Sequence, residues 1–205
     1  VNLIKKQYPE LAEHISTTIS PMFALSRLLK SEDPDTITVF IGPCIAKKSE
    51  VIDSITFGGA DYAMTYEELA SMFEAKNIDP EECTETLQQG SKFGKQYSVS
   101  GGVTAAVLET FKEANKEVDL KVKTCSGALE CKKALMLLKV GKLPEDFIEG
   151  MACVGGCVNG PAMLGKSRTF LKDRNGQIAK ADDRGVLENV AQYDEYGINM
   201  TRNHQ

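Results

Sequence analysis

The chain has 205 residues, of which 42% are hydrophobic and 26% are charged, enough to bury a core as one large domain or two small lobes. The formal net charge of -5 argues against a nucleic-acid partner, because such binding needs a dense basic surface. No apolar run reaches the roughly 18 residues of a membrane span, and the first residues lack the apolar core of a signal peptide, so the sequence predicts a cytoplasmic protein without a membrane span.

The first part of the chain predicts two helices and a strand. Pro9–Ser16 opens with proline and acidic residues, and Pro21–Lys30 has apolar residues at helical spacing, so both segments predict short amphipathic helices. The β-branched run Ile37–Ile41 follows a cluster of helix-breaking residues and predicts a buried strand. Cys44 lies directly beyond that strand, at a predicted strand-to-helix turn.

Strand and helix continue to alternate toward the C-terminus. The next predicted elements are a strand at Asp61–Met64, a helix at Thr65–Lys76 with a capping box formed by Thr65 and Glu68, a helix at Gly101–Glu109, a strand at Leu120–Thr124, a helix at Ser126–Val140 and a strand at Ile148–Cys153. The segment Lys172–Gly176 predicts a turn before a surface helix. Such alternation is typical of an α/β fold with parallel strands flanked by helices, in which ligands bind at the carboxyl ends of the strands. Cys44 and Cys153 would both lie there.

The cysteines point to metal chemistry. The chain has six of them and no export signal, which favours metal-binding or catalytic thiols over disulfides. In Met151-Ala-Cys-Val-Gly-Gly-Cys-Val-Asn-Gly160, two glycines between Cys153 and Cys157 allow backbone N–H groups to approach the sulfurs, which predicts an iron–sulfur site. The alternatives are two buried cysteines in a glycine turn, or half of a zinc site.

Two segments resemble signatures of the iron-only (FeFe) hydrogenase catalytic domain. Pro43-Cys-Ile-Ala-Lys-Lys-Ser-Glu50 resembles the second signature, Met151-Ala-Cys-Val-Gly-Gly-Cys157 resembles the third, and intervening segments extend the resemblance over nearly the whole chain. It implies a truncated FeFe-hydrogenase catalytic domain over residues 1–205, with two interleaved, parallel-stranded lobes flanked by helices and the cluster site in the cleft between them. The first signature, Thr-Ser-Cys-Cys-Pro, would precede Val1, so we expect an inactive fragment that is apo or incompletely loaded with iron.

The resemblance implies a role for each matching residue. Cys44, Cys153 and Cys157 would be ligands of a 4Fe-4S cubane, and Cys157 would also bridge the cubane to the diiron subcluster of the H-cluster. Lys47 would donate a hydrogen bond to a cyanide ligand of the diiron site, and Met151 would pack against the cofactor.

The resemblance also implies a proton relay between residues that lie far apart in the sequence. Glu50 and Ser16 would be stations of the relay, because a carboxyl and a hydroxyl can each accept and pass on a proton. The alternative for Lys47 and Glu50 is a solvated ion pair at the start of a helix, and a serine near the end of a helix is common without any catalytic role.

The remaining cysteines match no cluster-ligand position of the family. Cys125 and Cys131 flank a strand-to-helix junction and are predicted to be core residues, with a redox-active thiol as the alternative. Cys83 has no assigned role. His14 and His204 are predicted to lie on the surface.

The function implied by the resemblance is that of a parent enzyme. A ferredoxin-type hydrogenase from an anaerobe would oxidise H2 or reduce protons, and would exchange electrons with a ferredoxin-like carrier or an upstream ferredoxin-type domain. Prototypical hydrogenases carry Gln, Met and Gly where this chain has Met22, Gly42 and Ser98, which favours a divergent, sensory branch. The alternatives are therefore a non-catalytic hydrogen sensor, a hydrogenase-like iron–sulfur carrier protein and, third, a zinc-binding structural module.

Overall fold

A computed structural model describes residues 1–55, 58–82, 90–165 and 167–202. Its first elements are α1 (Asn2–Gln7), a 3-10 helix (Pro9–His14), α2 (Pro21–Glu32), β1 (Val39–Ile41), α3 (Ala46–Ile55), β2 (Tyr62–Met64), α4 (Tyr66–Lys76) and a 3-10 helix (Pro80–Glu82). They are followed by α5 (Lys92–Gln96), α6 (Gly102–Glu113), β3 (Val122–Ser126), α7 (Ala128–Lys139), β4 (Phe147–Met151), a 3-10 helix (Cys157–Asn159), α8 (Ser167–Ala179), α9 (Val186–Ala191) and a 3-10 helix (Asp194–Tyr196). Within these ranges no helix is both long enough and apolar enough to cross a membrane.

The strands form two parallel pairs. β1 pairs with β2, with Phe40 opposite Ala63, and β3 pairs with β4, with Thr124 opposite Glu149. A helix connects the strands of each pair, α3 in the first and α7 in the second, as parallel strands require. The predicted α/β fold with parallel strands is confirmed, and Cys44 and Cys153 follow the carboxyl ends of β1 and β4.

A small apolar core holds the first strand pair against its helices. Met22 and Phe23 of α2, Val51 of α3 and the flanking Ile19 and Ala60 are all buried and in contact. The partly buried Phe40 and Ala63 pack against this cluster from the two strands. Burial of these apolar side chains is what seats α2 and α3 on the β1–β2 pair.

The prediction of a buried strand at Ile37–Ile41 is wrong in extent and in burial. The strand runs only from Val39 to Ile41, and these two residues are 44% and 40% exposed. Side chains alternate across a strand, so Phe40 faces the core while its neighbours point away from it. In the described part of the chain helices cover one face of this pair, whereas a fully buried parallel strand needs cover on both.

Two local predictions are also corrected. The helix expected at Pro9–Ser16 is a 3-10 helix that ends at His14, where the Ile15 N–H donates to the Ala12 carbonyl three residues earlier. The turn expected at Lys172–Gly176 is absent from the described chain, because these residues lie inside α8. Tertiary contact outweighs the weak helix propensity there, since α8 packs on α5 and Lys95 donates to the Gln177 carbonyl.

The capping box predicted at the start of α4 is confirmed. The Thr65 hydroxyl accepts from the Glu68 N–H, and the Glu68 carboxylate accepts from the Thr65 N–H at 2.8 Å. These reciprocal bonds satisfy two backbone donors, which fixes the point where β2 turns into the helix.

Asp61 joins α2 to the first strand pair, and we expect its removal to lower stability in a pH-dependent way. Its carboxylate accepts from Lys30 Nζ at 2.7 Å and from the Thr38 N–H at 2.7 Å, and the Lys30 and Thr38 bonds lower its pKa. The stabilisation is therefore present above the pKa of the unfolded chain and is lost as the pH falls through the lower, folded value. Asp61→Asn should reduce the free energy of unfolding by about 1 kcal/mol at pH 7, because the pair is partly exposed.

Urea unfolding of the metal-free protein at pH 7 and in strong acid measures this difference. The gap between wild type and Asp61→Asn should close in acid, where both side chains are uncharged. Asp53→Asn, at an exposed position of α3, is the control and should follow the wild type at both pH values. A gap that stays constant with pH would contradict the charge-based account.

Candidate iron–sulfur site

The loop after β1 presents the first candidate thiol. The Gly42 N–H continues the strand ladder by donating to the Met64 carbonyl at 3.1 Å. The chain then turns at Cys44, whose carbonyl accepts from the Lys47 N–H at 3.2 Å as α3 begins. Cys44 is a free, partly buried thiol. The strand-to-helix turn predicted for this residue is confirmed.

The loop after β4 holds the other two candidate thiols. The Gly156 N–H donates to the Cys153 carbonyl at 3.1 Å, which closes a tight turn between the two cysteines. This turn uses positive φ values of 81° at Gly155 and 110° at Gly156, which favour glycine. Cys153 and Cys157 are both free and partly buried.

A segment before α6 and the end of β3 brace this loop. Val99 forms an antiparallel bridge with Gly156, and the Val158 N–H donates to the Ser98 carbonyl at 3.4 Å. From the other side, the Ser126 hydroxyl accepts from the Gly155 N–H at 2.8 Å. Sequence reasoning did not identify Ser126, because a serine at the end of a strand carries no signal of a partner so far along the chain.

The two cysteine loops meet. The Ala162 N–H donates to the Pro43 carbonyl at 3.1 Å, one residue before Cys44. A Cβ on Gly160 would lie 2.4 Å from that same carbonyl oxygen, so only glycine permits the approach. The fold therefore brings the second and third signature segments, far apart in the sequence, into direct contact.

The surroundings of Cys153 and Cys157 raise the pKa values of both thiols. Burial raises the pKa of the Cys157 thiol, and the negative charges of Cys44 and Cys153 raise it further, while the charge of Lys47 acts in the opposite direction. Burial and the charge of Cys44 likewise raise the pKa of Cys153. Thiols in such surroundings become good ligands once a metal displaces the proton, since metal binding and deprotonation are coupled.

Lys47 and Glu50 form a paired charge beside these thiols. Lys47 Nζ donates to Glu50 Oε2 at 2.7 Å and lies 5.8 Å from the centre of the Phe40 ring. The other carboxylate oxygen, Glu50 Oε1, is buried without a hydrogen-bond partner among the described residues. Both side chains are about three-quarters buried or more, with exposures of 20% and 24%, so the solvated pair given as the alternative does not describe them.

Three thiols are the kind of donor that an iron–sulfur cluster needs. In the described ranges, no three Cys, His, Asp or Glu side chains are close enough to share one metal ion. A cluster binds each thiolate at a different iron, and soft thiolates are the ligands that iron–sulfur irons select. Met151 adds a thioether, with its Sδ 4.0 Å from Cys157 Sγ. The unpartnered Glu50 oxygen and the ammonium of Lys47 are polar groups that could form hydrogen bonds with a bound cofactor.

Ser16 is not connected to this site by hydrogen bonds within the described chain. Its side chain is exposed, and its hydroxyl accepts from the Thr18 N–H at 3.2 Å. Glu50 lies on α3, whose Val51 packs beside Ile19 in the core. The two segments are therefore neighbours, but the predicted relay between Ser16 and Glu50 stays a prediction.

The structure describes two of the three remaining cysteines and one of the two histidines. Cys125 is fully buried, and Cys131 Sγ is 3.7 Å from the Met151 carbonyl oxygen. The core position predicted for Cys125 is confirmed, whereas Cys131 is only partly buried. Burial raises the pKa of both thiols, which argues against reactive thiolates. His14 is half exposed, as predicted. Cys83 and His204 lie outside the described residues.

Comparison with known proteins identifies a family. The family described as iron only hydrogenase large subunit, C-terminal domain, matches residues 1–161. The periplasmic Fe hydrogenase large subunit of Nitratidesulfovibrio vulgaris is 35% identical over 204 aligned residues, covering 77% of this chain and 48% of that protein. Human nuclear prelamin A recognition factor is 26% identical over 195 aligned residues, covering 73% and 43%. The chain thus spans less than half the length of either relative.

Solved structures share the fold. HydA(deltaEFG), an FeFe-hydrogenase whose structure revealed stepwise H-cluster assembly, superposes with a TM-score of 0.70 at 20% identity, over 98% of this chain and 69% of that one. A variant of an FeFe-hydrogenase from Chlamydomonas reinhardtii gives 0.68 at 20% identity, over 98% and 70%. Because the family match covers most of the chain and the fold agrees, this chain belongs to the iron-only hydrogenases, in the C-terminal domain of their large subunit.

Proposed function

We propose that this chain holds the H-cluster of an FeFe hydrogenase, with Cys44, Cys153 and Cys157 as thiolate ligands of the cubane and Cys157 as the bridge to the diiron subcluster. When bound, this group would supply the iron that activates hydrogen and a route for electrons. The observation that carries the proposal is the contact of the two cysteine loops through the Pro43 carbonyl and the Ala162 N–H. That contact brings the loop of Cys44 against the loop of Cys153 and Cys157.

The residues around the thiols would bind and orient the cofactor. Lys47 presents an ammonium held in place by Glu50, and an ammonium can donate up to three hydrogen bonds to anionic ligands. Met151 would pack its thioether against the cofactor next to Cys157. H2 and protons would be the substrates of the full-length protein, and a ferredoxin-like carrier or domain would exchange its electrons.

Anaerobic assembly of the full-length protein tests this function. We expect iron and acid-labile sulfide in cluster stoichiometry, and hydrogen uptake or evolution with an artificial electron donor or acceptor. Full occupancy by zinc with no sulfide would contradict the proposal. Fractionation of the source cells would test the predicted cytoplasmic location, which is open because the relative from Nitratidesulfovibrio vulgaris is periplasmic.

A second candidate is a hydrogen sensor or an iron–sulfur carrier without turnover. The match to nuclear prelamin A recognition factor, which is not named as a hydrogenase, favours keeping it. Two residues that differ from those of prototypical hydrogenases lie in closely packed regions. Met22 is buried in the core, and the Ser98 carbonyl lies against Gly156. A stable cluster with negligible hydrogen turnover would favour this candidate.

Glu50 is the proposed proton-handling residue, and we expect Glu50→Gln to separate turnover from cluster binding. The amide can still accept from Lys47, but it cannot ionise, so turnover should fall by about 100-fold while iron content stays the same. Hydrogen evolution across a pH series measures the effect. The control is Glu109→Gln on α6, which also pairs with a lysine three residues away and should leave turnover unchanged. An undiminished rate with an unaltered pH profile would remove Glu50 from the relay.

A further inference from the structure

Glu149 is a buried charge in the second strand pair that neither the motifs nor the proposed function uses. It lies in β4 and is 5% exposed, although a carboxylate is seldom buried without strong partners. Its two oxygens accept from the Gly101 N–H at 2.7 Å and from the Thr104 N–H at 2.8 Å, and the Thr104 hydroxyl donates as well. These donors belong to the first turn of α6.

Glu149 therefore caps a helix that has no cap of its own. The N-cap residue of α6 is Gly101, which has no side chain to accept from the exposed amides of the first turn. A carboxylate placed at the N-terminus of a helix satisfies those amides and interacts favourably with the helix dipole. Here the carboxylate comes from a neighbouring strand, so the cap also ties α6 to β4.

The capped turn is continuous with the segment that braces the cysteine loop. The Gly102 N–H donates to the Val99 carbonyl at 3.0 Å, and Val99 in turn bridges Gly156 between the two cysteines. A Cβ on Gly102 would overlap the Gln96 carbonyl, so the backbone of this turn is closely packed against the residues before it. On its other side, Glu149 is four residues before Cys153 in the same strand and loop.

We infer that Glu149 is a positioning residue for the loop of Cys153 and Cys157. It fixes the segment Ser98–Ser100, which pairs with that loop, to the strand that carries the loop, and so sets the positions of the two thiols. The inference rests on the proposed function only in taking those thiols as cluster ligands. The hydrogen bonds of Glu149 go to Gly101 and Thr104, so its effect on the loop would pass through backbone pairing.

The chain offers a matched control for this inference. Glu113, at the end of α6, caps α9 in the same manner, accepting from the Val186 and Leu187 N–H groups at 2.7 Å each. Glu149→Gln and Glu113→Gln each place an amide group against a backbone donor, so both should lose stability. Only the Glu149 change is expected to affect the cysteine loop.

Amide hydrogen exchange of the metal-free protein and cluster retention of the loaded full-length protein test the inference together. The Ser100 N–H donates to the Gly155 carbonyl at 3.4 Å, so its exchange also reports on the loop. In Glu149→Gln we expect about tenfold faster exchange at the Ser100, Gly155 and Val158 amides, and similarly faster loss of iron to a chelator. Glu113→Gln should match the wild type in the exchange of these three amides and in the rate of iron loss. Equal exchange and equal iron loss in the two variants would overturn the inference.

Two other results, a variant that does not fold and a protein that takes up no cluster, can also be interpreted. If Glu149→Gln does not fold, Thr104→Val removes one hydroxyl donor and leaves the carboxylate, and it should shift the same amides less strongly; unchanged amides in a folded Thr104→Val would then overturn the inference. If the wild-type protein takes up no iron–sulfur cluster, the proposed function fails, while the exchange measurement still decides whether Glu149 positions the loop.

Discussion

Cys157→Ser is expected to abolish hydrogen turnover in the full-length protein, whereas Lys47→Ala should impair turnover and leave the spectrum of the cubane largely intact. A serine oxygen is a poor ligand for iron–sulfur irons, and Cys157 would serve both the cubane and the diiron subcluster. Lys47 contacts Glu50 and Phe40 and offers hydrogen bonds rather than a metal ligand. Turnover should fall by more than about 100-fold in the first variant, because an essential ligand is lost.

Hydrogen evolution, iron counting and electron paramagnetic resonance on the same samples separate these outcomes. Cys131→Ser is the control, because its side chain is partly buried beside the Met151 carbonyl and a serine hydroxyl can donate there. It should keep the cluster and the activity. If turnover survives in both Cys157→Ser and Lys47→Ala, the proposed site is wrong.

The candidate ligands of the site could be identified from local sequence, but the way in which the fold brings their loops together could not. Cys44, Cys153 and Cys157 each lie in a short segment whose neighbours identify it, and Cys44 and Cys153 follow the ends of parallel strands, as expected. The contact between the Pro43 carbonyl and Gly160 joins segments far apart in the chain, and a pattern with a period of two or four residues carries no information about it. Glu149 was missed for the same reason.

The errors in the fold have a common physical source. Gly176 and its polar neighbours favour a turn by propensity, yet packing of α8 on α5 holds them in a helix. The β-branched residues around Val39 favour a strand, which forms, but their exposure depends on which elements cover the sheet. Propensity and periodicity act over a few residues, while burial is decided by contacts between elements.

Gly156 is the residue whose change should damage the structure of the site most. Its backbone has φ 110° and ψ -172°, a conformation that residues with a Cβ rarely adopt. An added Cβ would lie 2.4 Å from the Ser98 carbonyl oxygen and 2.6 Å from the Val99 Cα, both backbone atoms that cannot rotate away. Gly156→Ala combines backbone strain with overpacking, so we expect it to lower the free energy of unfolding by about 3 kcal/mol.

The same substitution should also displace Cys157, the next residue, and so reduce cluster occupancy even where the protein remains folded. Denaturant unfolding of the metal-free protein measures the first effect, and iron and sulfide content after anaerobic assembly measures the second. The matched control is Gly176→Ala in α8, where an added Cβ meets no heavy atom of the described residues within 4 Å. Because alanine favours a helix over glycine by about 0.5–1 kcal/mol, the control should be slightly stabilised and fully loaded. A Gly156→Ala protein as stable and as well loaded as this control would show that the turn between Cys153 and Cys157 does not need the conformation described.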